Sequence, residues 1–300
     1  MAASGCARPG IVLAAAGDLE LDERSGAAQL GSLGALLPGQ LRLLNLEGPL
    51  TTRGAAAGLD AAGRPTGAPI RFRARPGAAA LLHGRIDVVS LANNHALDQG
   101  LDGRDDTARA LFSQGIAAAF SGHDAELGRA GQRVIVVARD FSAGVDAEAA
   151  DQLGAAIQSA RARGAVVVSL HWGQAGSLLP TRAQRELAAR AASAGASVVV
   201  GHGPHTVQGI ERRGRAVIAY SVGNLAFSCR CTDVLDAYVL VARIERDGRA
   251  TDVRALPIAA GLAGGAPRRA DDPGLYDLII NLSRDLGSKA ERVGDAVRIQ

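Results

Sequence analysis

The chain has 300 residues and a mass of 30.6 kDa, with 47% hydrophobic and 21% charged residues. It is long enough to bury a large core and too apolar to stay disordered. Lys and Arg number 33 against 30 Asp and Glu, for a net charge of +3, and aromatic residues make up 3%. That dispersed balance carries no arginine stripe and no stacking platform, which excludes a nucleic-acid partner.

The three cysteines, Cys6, Cys229 and Cys231, form no disulfide framework in a chain this long, and a reducing compartment is the simpler expectation. Cys229-x-Cys231 reads as structural, because two thiols without a second pair are weak evidence for a metal site. No apolar run reaches the roughly 20 residues of a membrane span. Residues Met1 to Cys6 show no basic region followed by an apolar one. Neither a signal peptide, a lipoprotein anchor nor direct membrane insertion is therefore expected, and the expected location is cytoplasmic.

In chain order, near-continuous apolar runs at Ile11–Ala16, Leu41–Leu46, Ile86–Leu91, Val134–Ala138, Val166–Leu170 and Val198–Val200 read as strands covered on both faces. Helices are expected over about Asp105 to Gln114, ending at Gly115, and from Thr181 to Gly195, where Thr181-x-x-Gln184 forms a capping box. After Gly201 the pattern changes to antiparallel strands at Val207–Arg212, Ala216–Ser221, Tyr238–Glu245 and Ala250–Leu256, with turns at Arg213-Gly214 and Asp247-Gly248. Gly48–Pro69 is a long loop of the kind that often carries function. The main domain spans 10–260, and 261–300 reads as a linker followed by a helix near Leu275–Leu286 that packs on it. The expected class is α/β, with sheets packed together and helices outside.

Five of these runs end in chemistry. Gly17-Asp18 follows the first, Asn45-Leu46-Glu47-Gly48 ends the second, and Asn93-Asn94-His95 follows the third. His171-Trp172-Gly173 and Gly201-His202-Gly203-Pro204-His205 follow two later ones. In α/β folds ligands gather at the carboxyl ends of strands, so sequence-distant residues converge there. Carboxylate oxygens, an amide carbonyl and imidazole nitrogens form a donor set suited to one or two divalent ions, Zn, Mn or Fe. Glu47 can bridge two ions while Asp18 and the imidazoles hold them from the sides. His95 lies beside Asn94 and can protonate a leaving group. Trp172 is expected in the core, and His83 and His123 at the surface or in caps. Arg53, with Arg71-x-Arg73-x-Arg75, can face an anionic substrate, although a solvated strand face is the plainer reading.

At these residues the chain resembles the capsule-synthesis CapA family. The resemblance is carried by GDLEL at 17–21, NLEGPLT at 45–51, ANNHALDQG at 92–100, HWG at 171–173, GHGPHTVQGIE at 201–211 and YSVGN at 220–224. It implies a four-layer α/β/β/α sandwich of the calcineurin-like metallophosphoesterase type. It also implies metal ligation by Asp18, Glu47, Asn94, His171, His202 and His205, with His95 as the acid histidine and Asn93 beside it at the catalytic position. The sequence departs from relatives at Ala175, where many carry Glu, at Gly203, often histidine, and at Asp18-Leu19-Glu20, where related phosphatases carry Asp-x-His. Glu20 shares a side with Asp18 if the strand continues, as a substitute ligand or a solvated group. The family is associated with poly-γ-glutamate capsule synthesis. The resemblance thus implies a metal-dependent hydrolase or transferase acting on an anionic small molecule or peptide, at a phosphoester or an amide bond. The competing expectation is a non-catalytic accessory subunit of a polymer-synthesis complex.

Overall fold

Valine- and leucine-rich runs with no polar face must be covered on both sides, and the computed structural model, which describes residues 10–300, covers them by stacking two sheets. The larger runs in the order 290–293, 296–299, 250–259, 236–244, 11–20, 41–46, 88–90, 117–119, with Asn224–Phe227 paired parallel to Ile11–Glu20. The smaller runs 125–129, 132–140, 165–171, 198–202, 216–219, 210–213. The inner faces share one core, in which Leu13, Leu43, Val136, Val167, Val200 and Leu240 are fully buried. The outer face of the larger sheet carries Ala14, Leu44 and Val89 against Leu30, Leu33, Leu82 and Leu111 of helical segments. The outer face of the smaller sheet packs Ile135, Val137 and Val168 against helices Ala147–Arg161 and Arg182–Ala194.

The second of these helices starts as its sequence dictates. Gln184 N donates to Thr181 Oγ1 at 3.2 Å and Thr181 N donates to Gln184 Oε1 at 2.9 Å. It stops at Gly195, whose φ of 110° lies in the left-handed region that glycine tolerates. The helix expected near 105–114 spans Gly100–Ser113.

Some boundaries differ from expectation. The first strand runs on through Asp18 to Glu20, because the parallel neighbours 41–46 and 224–227 continue its pairing. The helix at 147–161 has the buried spacing Ala150, Leu153, Ile157, Ala160 but lacks a long apolar run to announce it. Residues 261–300 are more than a linker and a helix. The helix Pro273–Asp285 is present, and Ala290–Val293 and Ala296–Ile299 form a hairpin that extends the larger sheet. Cys229 and Cys231, read as structural, are joined by a disulfide although the cysteine count suggested no disulfide framework, while Cys6 lies outside the described residues. Among the described residues no helix is long and apolar enough to cross a membrane.

Candidate metal centre

The parallel strands deliver polar residues at one edge. Asp18 pairs in register with Asn45 and with Asn224, and His171 pairs with His202 across the smaller sheet. Gly17 makes the pairing with Asn224 possible, since a Cβ there would lie 1.7 Å from Gly223 O. Asp18, Glu47 and His205 each present a ligand atom, all within 4.8 Å of one another. Asp18 Oδ1 is 3.2 Å from His202 Nδ1, Asp18 Oδ2 is 3.3 Å from His205 Nδ1, and Glu47 Oε1 is 3.7 Å from His205 Nε2.

These groups are buried and under-satisfied. Asp18 is fully buried and Glu47 is 1% exposed. Glu47 Oε2 and His202 Nε2 have no hydrogen-bond partner. A buried carboxylate oxygen left without a donor costs free energy that a cation recovers. Burial pushes Glu47 up to about 8, against the opposing pull of His205. Burial opposes ionisation of Asp18 too, but its contacts with His202 and His205 hold it well below the usual carboxylate range. His205 resists burial through the charge of Glu47 and its contact with Asp18, and rises to about 10. His171 is pushed down to about 4 by burial and stays neutral. The donor set therefore suits a metal ion, and Asp18, Glu47 and His205 can hold one.

Local backbone geometry brings the imidazoles together. His205 sits at φ 57°, an uncommon conformation for a side-chain-bearing residue and one that marks a constrained site. Its Nδ1 also lies 3.0 Å from Asn224 Oδ1. Gly203, at φ 104°, has a concrete reason to lack a side chain: a Cβ would approach Trp172 O at 2.8 Å and His171 Nε2 at 3.0 Å.

The other expected residues divide. His171 and His202 are buried beside the cluster, with His171 Nδ1 3.5 Å from Asn45 Nδ2. Asn94 is exposed, and the amide that reaches inward is its neighbour Asn93. Asn93 Nδ2 donates to Asn45 Oδ1 and to Leu46 O, each at 2.9 Å, and its Oδ1 accepts from His95 N at 3.1 Å. Asn93 thus ties the ends of two strands to His95, and the Asn94 side chain lies exposed in the same turn. His95 Nδ1 lies 2.8 Å from Asp98 Oδ2, and its ring packs 4.3 Å from Phe72. Phe72 and Phe227 then lead to His205, at centroid distances of 6.4 and 5.6 Å.

Glu20 is buried but occupied. It accepts from Ser228 N at 2.8 Å and Cys229 N at 2.9 Å, and burial raises it to about 7. It anchors the segment after Phe227 instead of opening toward a ligand. Arg53 is committed to Asp102 and Asp106, and Arg73 and Arg75 to Glu23. Trp172 is buried and donates to Tyr220 O at 2.8 Å. His83 and His123 lie away from the cluster, against Gln114 O and the Phe120 ring. Sequence reasoning placed Asn45 at the end of the second run without giving it a role, and missed Asp98. Asn45 Nδ2 donates to Asp18 Oδ1 at 2.9 Å and links Asp18 to Asn93. Its signal was the strand register, and that of Asp98 its place three residues after His95.

The molecule is thus a mixed α/β protein whose paired sheets carry a buried carboxylate–imidazole cluster able to bind a metal ion. The chain belongs to the bacterial capsule synthesis protein PGA_cap family, whose model matches residues 18–228. The "PGA biosynthesis protein CapA" of Bacillus subtilis strain 168 is 30% identical over 218 residues, covering 66% of this chain and 57% of that protein. A "probable polyglutamine synthesis accessory protein" of Mycobacterium tuberculosis is 29% identical over 228 residues, covering 65% and 55%. The chain spans little more than half the length of these curated relatives. A solved structure of a hypothetical protein from Thermus thermophilus shares the fold, with a TM-score of 0.51 at 16% identity over 83% of this chain and 99% of that one.

Proposed function

We propose that this chain is a metal-dependent hydrolase or transferase serving capsule, poly-γ-glutamate or related peptide synthesis, acting on an anionic substrate. The observation that carries this reading is Glu47 Oε2, buried without a partner in a cluster where Asp18 and His205 offer ligand atoms within 4.8 Å. Two sheets sharing one core with helices outside each support the four-layer arrangement of calcineurin-like metallophosphoesterases.

Asp18, Glu47 and His205 would hold the ion, with His171 and His202 completing its surroundings. A bound divalent ion would polarise a phosphoryl or carbonyl oxygen and lower the pKa of water. His95, oriented through Nδ1 by Asp98, presents Nε2 for proton delivery to a leaving group. Asn93 and Asn45 keep the strand ends in register around Asp18.

Elemental analysis of protein purified without chelator tests the centre, with one or two ions per chain expected and none overturning it. Assays with Mn²⁺ on a phosphodiester and on a γ-glutamyl amide then separate the two chemistries. The accessory reading is favoured by the name of the mycobacterial relative. It predicts no turnover of either substrate and capture of a synthase subunit that His202→Ala leaves unchanged.

A further inference from the structure

Arginines around the site are mostly spoken for. Arg24 pairs with Asp22, Arg53 with Asp102 and Asp106, and Arg73 and Arg75 with Glu23. Arg64 and Arg230 differ: neither guanidinium has an ion pair among the described residues, and both line one cavity of about 660 Å³. The cavity wall comes from three places in the chain. One is the tip of the long loop after Glu47, one is the segment following Phe227, and the third holds Leu262 and Ala263. The first two are pinned together, since Arg230 N donates to Gly63 O. Asp233 also lines the cavity, and Asp60, outside the lining, feels the charge of Arg64, so the lining itself holds two arginines and one carboxylate.

This cavity is coupled to the metal centre by its architecture. Phe227 contacts His205, and Leu262 packs with the cluster formed by Phe72, Phe227 and Cys229. The backbone at Ser228 and Cys229 is held by Glu20, two residues beyond Asp18. Asn224 meets His205, and the chain from there to Arg230 spans at most roughly 20 Å. A ligand that occupied both places would have to be extended.

We infer that the cavity between Arg64 and Arg230 binds an anionic group, a carboxylate or a phosphate, of an extended substrate whose reacting bond lies at the Asp18–Glu47–His205 cluster. The inference rests on the proposed metal-dependent function for its second half, while anion binding stands on the cavity alone. Guanidiniums suit this role because they stay charged and present forked donors to planar or tetrahedral oxyanions.

The test is calorimetric titration of the full chain with a short oligo-γ-glutamate, a polyphosphate of similar charge and a neutral oligoglutamine. The wild type is expected to prefer an anion over the neutral oligomer. The double variant Arg64→Ala/Arg230→Ala is expected to lose roughly tenfold or more in that affinity. The double Arg→Lys variant should retain part of it. Arg185→Ala, an exposed arginine on the helix Arg182–Ala194 without an ion pair among the described residues, should behave as wild type. Loss for the glutamate oligomer identifies a carboxylate site, and loss for polyphosphate a phosphate site. Equal affinity in wild type and double Ala variant, or no preference over the neutral oligomer, overturns the inference. Mn²⁺ titration of the same proteins reports on the metal centre separately. Unchanged Mn²⁺ binding with lost anion binding supports the subsite, and absent Mn²⁺ binding in all proteins overturns the functional reading instead.

Discussion

The strand Leu41–Leu46 leads from one buried charge cluster to another, and the two are built on opposite terms. At its start, Asp87 accepts from Arg42 N and Arg42 Nε at 2.8 and 2.9 Å and from Arg129 Nη2 at 3.1 Å. These contacts overcome the burial of Asp87 and hold its carboxyl below the usual range. Just past its end, Glu47 has an oxygen with no donor, faces Asp18 and His205, and meets no guanidinium. A satisfied carboxylate at the amino ends of the strands fastens the sheet. An unsatisfied one at the carboxyl ends carries a cost that only a ligand removes. Burial alone distinguishes nothing here; the missing donor does.

The largest effect that would break this contrast is on metal affinity. Asp18→Asn replaces the residue that touches both His202 and His205. Affinity for Mn²⁺ or Zn²⁺ is expected to fall by about two orders of magnitude or more in calorimetric titration. Retention within a factor of a few would place the ion elsewhere. Asp87→Asn should leave metal affinity alone and instead cost about 2 kcal/mol in urea unfolding, because two guanidiniums lose their carboxylate. An unchanged midpoint would mean that this end of the sheet is not held as described.

The third effect has the opposite sign. The folded-state pKa of Glu47 is raised to about 8 from 4.5, so the native state holds this proton more tightly than the unfolded one. Its contribution to stability is full below pH 4.5 and lost as pH rises through about 8. In metal-free protein, Glu47→Gln is therefore expected to gain about 1 kcal/mol relative to wild type at pH 8–9, with no gain at pH 4. Adding Mn²⁺ should reverse the ranking, since a cation replaces the proton in wild type only. Thermal melts at both pH values, with and without the ion, decide it.

Much of this cluster is legible in the sequence. His202 and His205, held across Pro204, and Asp18 and Glu47, each after an apolar run, announce themselves because strand ends are where an α/β fold gathers ligands. The choice between Asn93 and Asn94 was not legible, since adjacent residues of a turn face different ways and only the closed loop selects one. Asn45 was hidden for a related reason: it matters through its register with Asp18, which is a property of two strands. The terminal hairpin escaped because Ala-Glu-Arg-Val and Ala-Val-Arg-Ile, joined by Gly294-Asp295, are too short and too polar to read as strands alone. Larger patterns survive in a sequence when each residue carries the same message, and pairings do not.

Asp98 gives the smallest expected effect and sharpens the distinction within the site itself. It holds two groups at once, accepting from Phe72 N at 2.6 Å and facing His95 Nδ1 at 2.8 Å. Asp98→Asn keeps an oxygen for the Phe72 amide, so the loop that carries Phe72 should stay in place. What changes is the charge behind His95, and with it the hold on the ring. Turnover of whichever substrate the Mn²⁺ assays identify is expected to fall roughly tenfold at unchanged KM, a part of what a general acid contributes. Metal affinity should remain within about twofold, because Asp98 is not among the residues that gather at Glu47. If metal affinity and turnover fell together, Asp98 would be a support of the metal centre. Its pairing with His95 would then have no separate role in proton delivery.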